Sequence, residues 1–352
     1  MQTSACPSYP RPLKAGSRIA VTAPSSGVRP PLHPRLDLNL AHLRAQGFIV
    51  EEGDCLRDEH MSASASADAR AAELMHFLLR DDIDAVFPPW GGELAIELLD
   101  RLDWTALHHA RPKWLIGYSD TSTLMLPLTL RLGWASAHGA CLMDLAPGQN
   151  DVLTRGALSV LATPPDGVVT QQQSPHWQSK WTDFALVPDV THALTEPTQW
   201  RCLNRPADPP LHFKGRLIGG CIDTLMHLVG SAFGNVPGFV QRCGADGAIL
   251  YLENAELSPT ELVRGLHRLR WAGWFDGLAG LLIGRSAAPD TQGAHELRYA
   301  AALQRELGGL PFPVLVDVDI GHRPPQLMLV NGALGEVDWR VADGGSVTQT
   351  LA

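Results

Sequence analysis

The sequence has no Cys-x-x-Cys pair and no His-Glu-x-x-His, and its first apolar strand candidate runs into "APSSGV" rather than Gly-x-Gly-x-x-Gly. These absences remove the usual signatures of a zinc ribbon, a dithiol redox centre, a zincin and a dinucleotide fold. Basic residues are also in short supply, with 28 Lys and Arg against 37 Asp and Glu and a formal net charge of -9. Binding to nucleic acid as a main role needs a cationic surface, so that class is excluded. No stretch approaches the roughly 20 apolar residues of a membrane span, and "MQTSACPSYPRPLKAGSRIAV" holds no secretory h-region. The six scattered cysteines, Cys6, Cys55, Cys141, Cys202, Cys221 and Cys243, are then expected as reduced thiols in a cytoplasmic protein.

What is present is a soluble globular composition, 45% hydrophobic and 18% charged over 352 residues, a length that favours two domains. Strand-like and helix-like patterns alternate through the first half. Strands are expected at 18–23, 48–51, from Ala85 in "AVFP" and from Trp114 in "WLIG"; helices at 35–46, Ala67–Leu79, 93–99 and Ser122–Leu132. Such alternation implies a mostly parallel sheet with its ligand crevice beyond the strands' carboxyl ends, where "PPWGGE" and "GYSDTS" fall. Regular periodicity weakens over 163–210, which reads as a connection carrying a lid or binding insertion. Strands resume at "GRLIGG", "AILYLENAE", "LAGLLIGR" and "FPVLVD", with helices at Pro259–Trp271 and 295–307. The expected organisation is an α/β amino-terminal domain over 1–162, the connection over 163–210 and a second α/β domain over 211–352.

Ser119 stands where an apolar strand meets a helix, a bend that exposes a hydroxyl; as readily, Ser119 caps that helix and Gly117 permits the turn. A serine nucleophile needs a base, an orienting carboxylate and oxyanion donors. His322 in "DVDIGHRPP" follows a strand and is the candidate base, or a loop histidine without special role. Glu253 ends an apolar strand, where a carboxylate is costly unless paired; Glu256 is its neighbouring competitor. Gly91 and Gly92 leave backbone amides accessible, and the Asp120 amide adds a second donor, so Gly92 and Asp120 are the candidate oxyanion pair. A metal reading would draw on Asp317, Asp319 and His322, two aspartates on one strand face with a histidine beyond.

Taken in order, "LKAGSRIAVTAPSSG", the "GG" after the third strand, "GYSDTSTL", "GRLIGGCIDTL", "ILYLENAELSP" with "GLLIGR", and "DIGHRPPQLMLVNGA" resemble the LD-carboxypeptidase family of serine peptidases, and within it the branch of microcin C immunity proteins. The resemblance spans nearly the whole chain. It implies a Ser119–Glu253–His322 triad, with the serine on one domain and the other two members on the second. It also implies an active site between the domains, no cofactor and no metal, a homodimer, and a small peptide or peptidyl- or aminoacyl-nucleotide substrate; release of a terminal D-alanine from murein tetrapeptide is the alternative. A non-catalytic, ligand-sequestering protein is the alternative of another class. Gly91, Trp177, Trp181 and Cys221 are the expected substrate contacts, Trp177 and Trp181 because the 163–210 segment resembles the aromatic insertion with which that branch holds a base. Cys221 departs from the family's usual asparagine, and "WGGELAIELL" lacks the Asn/Ser-rich run usual in that branch.

Overall fold

Two sheets divide the chain, and the computed structural model describes residues 7–206 and 209–352 of it; Cys6 lies outside the described residues. The first half supplies β1 (Arg18–Val21), β2 (Ile49–Glu52), β3 (Ala85–Val86), β4 (Trp114–Gly117) and β5 (Ser136–His138). They lie parallel, in the order β5-β4-β3-β1-β2, because each is followed by a helical crossover or turn that returns the chain to the same end. Burial of both faces explains their composition: every residue of β4 is buried. The prolines at 88 and 89 donate no N–H and β3 ends before them.

The second sheet comprises β6 (Val168–Gln172), β9 (Arg201–Cys202), β10 (Leu211–Cys221), β11 (Ala248–Glu253), β12 (Gly280–Gly284), β13 (Val314–Val318), β15 (Leu334–Arg340) and β16 (Gly344–Thr350); the small hairpin of β7 (His176–Trp177) and β8 (Glu196–Pro197) lies between β6 and β9 in the chain. Its order is β6-β16-β15-β10-β11-β12-β13-β9, with β10 to β13 parallel and the flanking strands antiparallel. Both edge strands, β6 and β9, come from the 163–210 segment. In the opposite direction, β14 (Leu329–Asn331) leaves the second half and pairs antiparallel with β5 of the first sheet.

Two helices are shorter than periodicity predicts. Over 93–99 there is only a 3-10 turn, Ala95–Leu98, whose leading amides, those of Leu94 and Ala95, donate to Ser25 Oγ and Asp120 Oδ2. The 295–307 helix begins at Tyr299, whose amide donates to Asp290 Oδ1. Helix Pro259–Trp271 carries the capping box that "SPTE" spells, Ser258 and Glu261 satisfying each other's backbone amides.

The two halves share one core. Leu124, Met125 and Leu128 of helix Ser122–Leu132 belong to the same apolar cluster as Ile218, Ile222 and Leu225. Gly220 permits the approach: a Cβ there would sit 2.6 Å from Ser122 Oγ, and that oxygen accepts a hydrogen bond from the Cys221 amide. The carboxyl ends of β4, β10 and β11 are thereby clamped together.

Candidate active site

Ser119 follows β4 with φ +59°, a left-handed conformation that costs a non-glycine residue about 1–2 kcal/mol. It opens the 3-10 turn Ser119–Thr121, which runs directly into helix Ser122–Leu132. Strain of this kind persists only where surroundings hold it. Here the brace is the buried carboxylate of Asp120: Oδ2 accepts from Ser25 Oγ at 2.6 Å and from the Ala95 amide at 2.8 Å, and Oδ1 accepts from Thr123 Oγ1 at 2.9 Å. Buried Arg70 reinforces the same loops by donating to the carbonyls of Pro24 and Leu94.

The glycine pair lies against this turn. A Cβ on Gly91 would stand 2.7 Å from Ser119 Cβ, 2.8 Å from the Asp120 amide nitrogen and 2.9 Å from Ser119 Oγ. Gly92 has φ +139°, and a Cβ there would meet the hydroxyls of Ser25 and Ser26 at 2.4 Å. Neither position admits a side chain, and the backbone itself approaches the serine.

Glu253 ends β11, fully buried, and its Oε2 receives the Nδ1–H of His322 at 2.8 Å. Burial alone would push this carboxyl up; the charge and hydrogen bond of His322 outweigh it and hold the group below its usual range. For His322, burial pulls the imidazole pKa down, yet Glu253 beside it leaves the net shift upward. Tyr118, next to Ser119, packs edge-on against the His322 ring with centroids 4.8 Å apart. The other Glu253 oxygen, Oε1, has no hydrogen-bond partner among the described residues, nor has either ring nitrogen of buried His138.

Ser119, Asp120, Gly92, Cys221 and His322 line one cleft of about 510 Å³ at the seam of the two sheets. Glu59, Glu93 and Glu256 also line it, and no Lys or Arg is among its described lining residues. An acidic cleft attracts ammonium groups and repels free carboxylates. Cys221 is buried, with Sγ 3.4 Å from Asp223 Oδ2; burial, then the charges of Glu253 and Asp223, hold its thiol well above the ordinary range. Asp223 in turn accepts from the amides of Ala255, Glu256 and Leu257 and shapes the loop after β11.

Trp177 and Trp181 are not among the residues lining this cleft. The Arg285 guanidinium sits 5.5 Å from the Trp177 ring, and Trp181 packs edge-on against Phe184 while 45% exposed. Trp200 is buried and donates to Asp319 Oδ2. The Asp317–Asp319–His322 combination does not assemble: Asp317 is bound to Arg201 at 2.6 Å and Asp319 is sealed against Arg285. Glu256, the alternative to Glu253, lines the cleft, and the carboxylate bonded to His322 is that of Glu253.

The Ser25 and Asp120 side chains are site components that motif reading leaves out. "APSSG" follows β1 at the crevice end of the sheet, and that position was the available signal for Ser25.

Residues 19–139 match the LD-carboxypeptidase N-terminal domain and residues 214–337 its C-terminal domain. The chain belongs to the LD-carboxypeptidase family. It is therefore a serine-type peptidase with the family's two-domain, largely parallel α/β build. Relatives include the microcin C7 self-immunity protein MccF of Escherichia coli, 25% identical over 96% of this chain and 95% of that protein. The murein tetrapeptide carboxypeptidase of Pseudomonas aeruginosa is 26% identical over 82% of this chain and 84% of its own length. A solved structure of MccF in complex with glutamyl sulfamoyl guanosine superposes with a TM-score of 0.80 at 22% identity, covering 97% of this chain and 98% of the other.

Proposed function

We propose that the cleft hydrolyses an amide bond in a small peptidyl- or aminoacyl-nucleotide substrate, with Ser119, His322 and Glu253 as its catalytic triad. Ser119 Oγ attacks the carbonyl while His322 Nε2 takes its proton and later returns it to the leaving amine. Glu253 holds the imidazole through Nδ1 and stabilises its cationic form. The amides of Gly92 and Asp120 receive the oxyanion. The observation that carries this reading is the 2.8 Å bond between His322 Nδ1 and Glu253 Oε2, beside the same cleft that Ser119 lines. A sequestering protein would have no use for an ionised, buried carboxylate bonded to a histidine next to a strained serine.

Murein tetrapeptide is the second substrate reading, and the family's name supports it. The cleft's charge does not separate the two, since a terminal D-alanine brings a carboxylate and a nucleotide a phosphate, and no described Lys or Arg lines the cleft to receive either. Exposed Trp181, on the segment that resembles the base-holding insertion, supports the nucleotide. Cytoplasmic location belongs to this reading, and the five described cysteines, all free, support it; the proposed homodimer is checked by sedimentation. No helix among the described residues is long and apolar enough to cross a membrane.

The test is mass-spectrometric analysis of purified protein incubated with an aminoacyl sulfamoyl adenosine or with murein tetrapeptide. Cleavage of the first and its loss in Ser119→Ala are expected. Full activity of Ser119→Ala on either compound would remove the serine mechanism.

A further inference from the structure

Cys221, Glu253 and His322 each present one ligating atom so that all three lie within 4.8 Å of one another, at the buried side of the cleft. Thiolate, carboxylate and imidazole are the three protein ligands zinc prefers, and a tetrahedral ion with bonds of about 2.0–2.3 Å holds its ligands about 3.3–3.8 Å apart. Small side-chain rotations close the difference. Glu253 Oε1 is buried without a conventional hydrogen-bond partner among the described residues, and the Cys221 thiol is turned toward the same carboxylate, so acid and sulfur already face each other. The charge count also fits: Zn²⁺ with one thiolate and one carboxylate is net neutral, so its burial leaves no uncompensated charge.

We propose that Cys221, Glu253 and His322 form an inhibitory binding site for a soft divalent cation such as Zn²⁺. On binding, the Cys221 S–H bond breaks, its proton passes to solvent and the sulfur lone pair bonds the ion. His322 gives up its Nδ1 hydrogen bond to Glu253: the Nδ1 proton leaves to solvent, the Nδ1 lone pair bonds the ion, and Nε2 takes up a proton from solvent in exchange. The imidazole stays neutral, but Nε2, the nitrogen that must accept a proton from Ser119, is now occupied, so the base is lost while the ion stays bound. Asp223, 3.4 Å from the sulfur, adds negative potential beside the cation. Hard ions such as Mg²⁺ gain little from sulfur and imidazole and are not expected to compete.

The inhibition rests on the triad reading above; the binding does not. Metal-free protein is titrated with zinc against a chromophoric chelator, and separately with Co²⁺. Expected are one tight equivalent, a sulfur-to-cobalt charge-transfer band, and in Cys221→Asn a loss of affinity beyond the roughly 10- to 100-fold that loss of an outer-shell partner costs. Ser119→Ala, which removes no ligand, should bind zinc as wild type does whether or not that serine is the nucleophile. Zinc should stop hydrolysis reversibly, with chelator restoring it. A cobalt complex without the sulfur band, or equal affinity in a folded Cys221→Asn, overturns the site; tight binding without inhibition overturns the inhibitory role. The cobalt spectrum is read on the unaltered protein, so a misfolded variant cannot mask the result.

Discussion

Asp120 receives the Ser25 hydroxyl at 2.6 Å, a buried bond between the loop after β1 and the turn that carries Ser119. Because the same carboxylate also holds the Ala95 amide and Thr123, one side chain fixes the Gly91–Gly92 loop and the serine in a common frame. Oxyanion donors act only if they are already in place when charge develops, so in the proposed mechanism the frame is part of the chemistry.

Asp120→Asn replaces an acceptor by a donor facing the Ala95 N–H or a hydroxyl. Leaving such buried groups unsatisfied costs about 1–3 kcal/mol. The expected result is a lower denaturation midpoint together with a fall in kcat larger than any change in KM. Ser25→Ala should reproduce the kcat effect in milder form. A variant with normal kcat would show that the Ser119 turn holds its shape without the brace.

In the proposed mechanism the pair His322–Glu253 sets the pH dependence. His322 must be neutral to accept a proton, and Glu253 raises its pKa above the ordinary histidine value despite the opposing pull of burial. Activity in kcat/KM should therefore fall on the acid side with a midpoint above about 6.5. Glu253→Gln removes the raising charge, so the acid limb should move to lower pH while the rate drops by roughly 10³- to 10⁴-fold. An acid limb that stays in place in Glu253→Gln would assign it to another group.

Three of the site's residues were legible because each ends a locally recognisable unit: Ser119 after β4, Glu253 at the end of β11, and His322 four residues beyond β13. Apolar strand, turn residue and polar group sit side by side in the sequence at each. What was not legible depends on chain segments far apart. No local pattern says that Leu329–Asn331 leaves its own half to pair with β5, or that 163–210 supplies both edges of the second sheet. The role of the Asp120 side chain was hidden for the same reason, since its partners lie 95 and 25 residues upstream as well as within its own turn. The 93–99 segment has helical spacing, yet forms only the 3-10 turn Ala95–Leu98, whose leading amides are tied to Ser25 and Asp120 in distant loops.

His138 predicts a stability effect separable from catalysis. Its ring is buried against Tyr251, centroids 5.3 Å apart, and burial lowers its pKa to about 4. The unfolded chain takes up a proton near pH 6.5, whereas the folded protein does so only near the lower value. Its contribution is therefore complete above pH 6.5 and is lost as pH falls toward 4, on the order of 3 kcal/mol across that window. Urea midpoints of wild type and His138→Leu should converge, or cross, as pH falls from 7 to 4. Curves that stay parallel would mean that His138 does not remain neutral in the folded protein.

Trp181 is where the two substrates part. Trp181 is 45% exposed and packs edge-on against Phe184, while Trp177 is engaged by Arg285, itself tied to buried Asp319. If the 163–210 insertion closes over a bound nucleotide, Trp181→Ala should weaken an aminoacyl adenosine substrate by about 1–3 kcal/mol, the range for base–aromatic stacking. Hydrolysis of murein tetrapeptide, which offers no base, should change little in the same variant. Trp177→Ala should instead lower the melting temperature, because the Arg285–Asp319 pair beneath it would be opened to water. Equal losses on both substrates in Trp181→Ala would make this tryptophan a packing residue of the insertion and would remove the feature that favours the nucleotide.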